Sequence, residues 1–146
     1  MSDNISGKVS DNMCGSFDVI IPVPSAKTAL SRRGYNPPDL LAQALSDILC
    51  VPANTKYLTK AIDGIPQKGC NAAQRRENVS GAYAVSKRRG GQAAYRRVLL
   101  ADDVKTTGST LNECSRVLKE AGAEYVFAAA AASVNFKGNH NDAIQI

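Results

Sequence analysis

An α/β fold, a parallel sheet flanked by helices, is what the sequence predicts, and three observations carry it. Short apolar runs at Phe17–Ile21, Val98–Ala101 and Tyr125–Val134 read as strands buried on both faces. Apolar residues at helical spacing occur in two other stretches, Leu40 to Leu49 and Leu111 to Ala121. Proline and glycine punctuate the changeovers, so strands alternate with helices, the rhythm of a parallel sheet with right-handed crossovers.

Each element has a local reason. Residues 1–16 are rich in Ser, Asp, Asn and Gly and read as a flexible lead-in. The strand Phe17–Ile21 is stopped by Pro22-Val23-Pro24, and a loop from Ser25 through Tyr35 follows. Asn36, Pro37 and Asp39 make a helix start: a cap, a first-turn proline and an acid near the positive end. Leu40, Leu41, Ala44, Leu45, Ile48 and Leu49 then form one apolar face. A short strand includes Tyr57 and Leu58, and Ala61 to Ser80 is a long polar stretch of lid character with room for a short helix around Ala72–Glu77. Strand character resumes at Ala82–Val85, and Arg88–Ala94 reads as a glycine-containing turn.

After the strand Val98–Ala101, Leu111, Cys114, Val117, Leu118 and Ala121 share a helix face. Thr110 with Glu113 has the capping-box pattern, and Gly122 suits the C-terminal cap. The alanine run in Tyr125–Val134 favours helix by propensity. Its position two residues after that cap, with β-branched and aromatic flanks, makes it a strand instead. The predicted organisation is a lead-in over 1–16, one domain over 17–134 and a tail over 135–146, with His140 a solvated residue of that tail.

Composition narrows the function classes. The chain has 146 residues, enough for one core, and 44% of them are hydrophobic, so wholesale disorder is excluded. Aromatics are only 5% and Trp is absent, which leaves few stacking platforms for single-stranded nucleic acid. The net charge of +5 suits either a nucleic-acid partner or a highly charged small molecule. Its basic residues gather at Arg32-Arg33, Arg75-Arg76, Lys87-Arg88-Arg89 and Arg96-Arg97. Cys14, Cys50, Cys70 and Cys114 form no C-x-x-C pair and have no His at ligand spacing, which argues against structural zinc. With neither a signal peptide nor a membrane-length apolar run, the chain reads as cytoplasmic, with no membrane partner and its thiols reduced.

The chemistry concentrates in Val98–Thr110. Apolar residues lead into Asp102 and Asp103, then into Lys105-Thr106-Thr107-Gly108-Ser109-Thr110 at a helix start. Adjacent carboxylates at a strand end repel unless something uses them. Backbone N–H groups at a helix N-terminus stabilise an anion. A ligand matching both halves carries neighbouring hydroxyls and a phosphate, as a ribose 5-phosphate does. A P-loop is excluded because Lys105 precedes Gly108 with no second glycine upstream, and no G-x-G-x-x-G occurs. A phospho-receiver domain would place its acidic pair near the start of the fold, and here it comes late.

This run resembles the phosphoribosyl-pyrophosphate motif of type I phosphoribosyltransferases. Pro22-Val23-Pro24, Arg33-Gly34-Tyr35-Asn36 leading into Leu40-Leu41-Ala42, then Gln67 and Arg75 through Tyr83, are similar to one branch of them, the ComF/GntX-like (competence protein F-type) family. The match extends from about Asp18 to Val134. The resemblance implies a phosphoribosyltransferase-type, Rossmann-like sheet with a small or absent hood, lacking the N-terminal zinc module of typical members.

It further implies 5-phosphoribosyl 1-pyrophosphate as substrate, Mg²⁺ as cofactor, and transfer of the phosphoribosyl group to a nitrogen nucleophile, a nucleobase or amine. Asp102 and Asp103 would hold the ribose hydroxyls directly or through metal-bound water, Mg²⁺ itself being held mainly by substrate. Thr106, Thr107, Gly108, Ser109 and Thr110 would bind the 5-phosphate, with Lys105 pointing to solvent or reaching a phosphate oxygen. Ser25, Lys27, Arg32 and Arg33 would face the pyrophosphate. Lys68, Arg75 and Arg76 would close over it, Arg75 being the preferred donor to the leaving group. A homodimer stays open, as does the alternative of a non-catalytic nucleotide- or DNA-binding protein linked to DNA uptake.

Overall fold

The computed structural model describes residues 15–60, 80–86, 95–105 and 108–133. The predicted lead-in, the polar stretch through Val79 with its short helix, the Arg88–Ala94 turn and the tail lie wholly or almost wholly outside them.

β1 (Val19–Pro22), β4 (Arg97–Lys105) and β5 (Tyr125–Ser133) form a parallel sheet in the order β1-β4-β5. β2 (Leu58–Lys60) and β3 (Tyr83–Val85) pair antiparallel as a separate two-stranded unit, a departure from the wholly parallel sheet that alternation predicts. The helices are α1 (Lys27–Arg33), α2 (Pro37–Leu49) and α3 (Ser109–Glu120). The α/β class therefore stands.

The period-two alternation of the central strands sorts the core into two layers. Val19, Ile21, Val98 and Leu100 pack with Leu111, Cys114, Val117 and Leu118 of α3 and with Leu58 and Tyr83 of the β2–β3 pair. Ile20, Leu99 and Ala101 face the other way, onto Ala42 and Leu49 of α2 and onto Phe17 and Val51. Burial on both faces is why these strands read as unbroken apolar runs. Leu100 is fully buried, and truncating such a side chain costs about 2–5 kcal/mol.

Three local expectations need correcting. Ser25–Tyr35 is not all loop: Lys27–Arg33 is helical and ends on Gly34 at φ 78°, whose N–H bonds the Leu30 carbonyl at 2.7 Å. None of its residues is buried, so no apolar face marked it in the sequence. On α2, Leu40 and Ile48 are exposed, as is Ala44, and the helix seats itself through Ala42 and Leu49 with Leu41 and Leu45 partly buried. The Thr110–Glu113 capping box does not form: α3 starts on Gly108 at φ 77° with no side-chain cap. Glu113 instead accepts the Gly81 N–H at 2.7 Å and pairs with Arg116. At the other end Gly122, at φ 108°, sits just past the last helical turn, as a C-terminal glycine does.

Candidate active site

β4 outruns β1. Their pairing ends at Pro22 opposite Ala101, while β4 continues beside β5 to Lys105 opposite Ser133. The strand is thus longer than the apolar run predicts, and the two aspartates sit on the part that projects past β1 at the carboxyl edge of the sheet. Ligands of open α/β sheets bind at that edge.

Asp102 continues the face of Val98 and Leu100, so it points toward α3. Only 7% of it is exposed. Its carboxylate accepts the Asp103 N–H at 2.9 Å, and Asp103 in turn accepts the Val104 N–H at 3.0 Å. Burial, reinforced by the hydrogen bond and charge of Asp103, pushes the Asp102 carboxyl up to about 6. Beside it lie Cys114 and the Tyr83 hydroxyl, both pushed up chiefly by burial, and Thr110 reaches Tyr83 with a side-chain hydrogen bond. Lys60, paired with Tyr83 across β2–β3, holds its ammonium 5.6 Å from the Tyr83 ring centre.

The anion-binding half follows. Gly108 takes the left-handed conformation at the start of α3, a backbone state that disfavours a side chain, and the first turn carries no acid to compete with an anion. Ser109 and Thr110 form that first turn, and Thr106 and Thr107 lie outside the described residues. Lys105 is the last residue of β4.

The β1 loop meets the acidic pair from the side. The Val23 N–H bonds the Ala101 carbonyl at 2.8 Å, one residue before Asp102. Ser25 follows within two residues, then α1 with Lys27 in its first turn and Arg32 and Arg33, both exposed, in its last. The structure therefore brings together Asp102, Asp103, Gly108, Ser109, Thr110 and the loop that bears Ser25. Lys68, Arg75 and Arg76 lie outside the described residues. Arg96 and Arg97 are far from this edge: they pair with Glu124 and Asp18 at the amino end of the sheet.

Two residues at this site escaped the sequence reading. Glu113 read as a cap, and its tie to Gly81 spans 32 positions. Asn36 also read as a cap, yet its side chain turns back to the β1 loop, a choice that no local pattern encodes.

No protein-family model matches the chain. Competence protein F of Haemophilus influenzae is 44% identical over 111 residues, 75% of this chain and 47% of that protein. The matched stretch belongs to the competence protein F-like family. DNA utilization protein YhgH of Escherichia coli O157:H7 is 35% identical over 109 residues, 75% of this chain and 46% of that one. The Salmonella typhi protein of the same name is 31% identical over an equal span. This ComF-like chain thus spans about half the length of the curated relatives it matches. A solved structure of the allosteric regulatory enzyme of purine biosynthesis aligns at TM-score 0.48 and 21% identity, over 79% of this chain and 22% of that one. That likeness is too slight to carry weight beside the sequence matches.

Among the described residues, no cluster of three or more His, Cys, Asp and Glu could hold a metal, and no helix is long and apolar enough to cross a membrane.

Proposed function

We propose that this ComF-like chain binds 5-phosphoribosyl 1-pyrophosphate and transfers its phosphoribosyl group to a nitrogen nucleophile, releasing pyrophosphate. The observation that carries the reading is the buried Asp102 with the half-buried Asp103 repelling it from the next position, set one strand-end away from an uncapped, acid-free helix start. Carboxylates accept hydroxyl hydrogen bonds from ribose, and the N-terminal N–H groups of α3 take the 5-phosphate.

In the reaction the bond from the anomeric carbon to pyrophosphate breaks with its electron pair on the leaving group. The nucleophile's nitrogen forms the new bond and loses its proton to solvent or to pyrophosphate. Positive charge builds on the sugar ring, as in glycosyl transfer generally. Asp102 and Asp103 lie on the side that would stabilise this charge, and the β1 loop with α1 faces the departing pyrophosphate. Hard carboxylate oxygens suit Mg²⁺, which keeps several waters and binds substrate oxygens, so Asp102 and Asp103 are the residues that would hold it. Bound there, Mg²⁺ would neutralise charge on the pyrophosphate. Arg75, with Lys68 and Arg76, keeps the closing role that the family resemblance implies.

The experiment is pyrophosphate release from the activated sugar in the presence of Mg²⁺ and a panel of bases and amines. Release that depends on one acceptor supports transfer. A second reading, a DNA-linked binding protein without turnover, draws on the names of the relatives and on the exposed Arg32–Arg33 pair. It expects no release with any acceptor, and DNA retention that falls steeply as salt rises.

A further inference from the structure

Asn36 is a polar side chain buried to 9% exposure, and two of its three side-chain hydrogen bonds reach back to the β1 loop. Its Nδ2 donates to the Val23 carbonyl at 3.2 Å and to the Asp39 carboxylate at 2.7 Å, while its Oδ1 accepts from the Ser25 hydroxyl at 2.5 Å. These bonds use both amide hydrogens and the carbonyl, and they join the start of the β1 loop to the start of α2. Everything between, including all of α1, is an excursion closed by this one side chain.

None of the residues of α1 is buried, so packing against the core holds the excursion only weakly. Its inner end is fixed: the Val23 N–H is bonded to Ala101, next to Asp102. The Val23 carbonyl is bonded to Asn36. Both polar groups of Val23 are thereby committed, one to the strand bearing the acidic pair and one to Asn36.

We infer that Asn36 is a positioning residue, which closes residues 23–36 and so holds the β1 loop with Ser25 against the acidic edge, on the side where the proposed reaction puts pyrophosphate. The inference rests on the proposed phosphoribosyl chemistry and adds a division of labour to it. Asn36 governs affinity for the pyrophosphate half of the substrate and leaves the ribose 5-phosphate half, held by β4 and α3, nearly untouched.

The test measures two affinities by calorimetry with Mg²⁺, for inorganic pyrophosphate and for ribose 5-phosphate, together with hydrogen exchange along the chain. In Asn36→Ala, pyrophosphate affinity falls by about tenfold or more and ribose 5-phosphate affinity stays within about twofold, in keeping with lost hydrogen bonds at one subsite only. Exchange quickens over residues 25–36 and not in β4 or β5. The swap Asn36→Asp/Asp39→Asn restores an amide–carboxylate bond at the head of α2 but leaves the Val23 carbonyl without its donor. Its thermal stability lies between those of wild type and Asn36→Ala, it shows the same selective loss, and it carries the test if Asn36→Ala does not fold. Parallel loss of both affinities, or no loss of either, overturns the positioning role while wild type still binds both ligands. A wild-type protein that binds neither overturns the proposed function, and this inference with it.

Discussion

The two ends of β4 handle charge in opposite ways. At the amino end, Asp18 accepts the backbone N–H groups of Arg96 and Arg97 at 3.0 and 2.8 Å and pairs with the Arg97 guanidinium at 3.3 Å. Arg96 forks onto Glu124 at 2.8 and 2.9 Å. Hydrogen bonds from the Arg97 backbone, above all, hold the Asp18 carboxyl below its ordinary range. At the carboxyl end, Asp102 and Asp103 stand side by side, with no ion pair to either among the described residues, and Asp102 is driven up to about 6. One end spends its charges on the fold. The other sets a buried carboxyl beside a half-buried one with no cation paired to either among the described residues, which is the mark of a site rather than a scaffold.

That contrast makes opposite predictions for similar substitutions. The largest effect is expected at Asp102. A carboxyl raised from 3.8 to about 6 on folding contributes stability below the unfolded value, and that contribution is lost as pH rises through about 6. Asp102→Asn removes the loss, so the ligand-free protein gains up to about 3 kcal/mol above pH 7. The gain shrinks toward pH 4, read as the difference in denaturation midpoint across a pH series. A destabilised Asp102→Asn at neutral pH would break the contrast.

Asp18→Ala acts in the other direction. It leaves two backbone N–H groups at the sheet margin without their acceptor and costs about 1–2 kcal/mol by chemical denaturation. Because the Asp18 carboxyl is held low, its contribution is present above the ordinary carboxylate range and fades as pH falls through the lowered value. The difference between wild type and Asp18→Ala therefore closes in acid. The smallest effect belongs to Arg96→Gln. The Arg96 side chain is 71% exposed, and its pair with Glu124 is solvated and screened. No measurable shift in the unfolding midpoint is expected, and a large one would mean that the amino edge depends on more than its Asp18 bonds.

Much of the fold was legible because its signals are local. β1, β4 and β5 announce themselves as apolar runs, and α2 by its proline-led start and periodic leucines. Periodicity overstated α2, since a strip including Leu40 and Ile48 fits the pattern without meeting a partner. α1 was invisible for the opposite reason: a helix that buries nothing leaves no apolar stripe to read. The acidic pair and the helix start after it were legible because one continuous segment carries both. Asn36 and Glu113 were misread because their side chains chose partners 13 and 32 positions away over the caps nearby. Local patterns state what a residue can bond, and only the packed chain decides which offer is taken.

The most direct test of the account is calorimetric titration of the wild-type chain and of the Asp102→Asn/Asp103→Asn variant with 5-phosphoribosyl 1-pyrophosphate in the presence of Mg²⁺. The account predicts saturable binding to wild type and a loss of about a hundredfold or more in the variant, as when hydrogen bonds to charged groups are removed from a buried site. A folded wild-type protein that binds neither this compound nor ribose 5-phosphate, or a variant that binds as tightly as wild type, would contradict it.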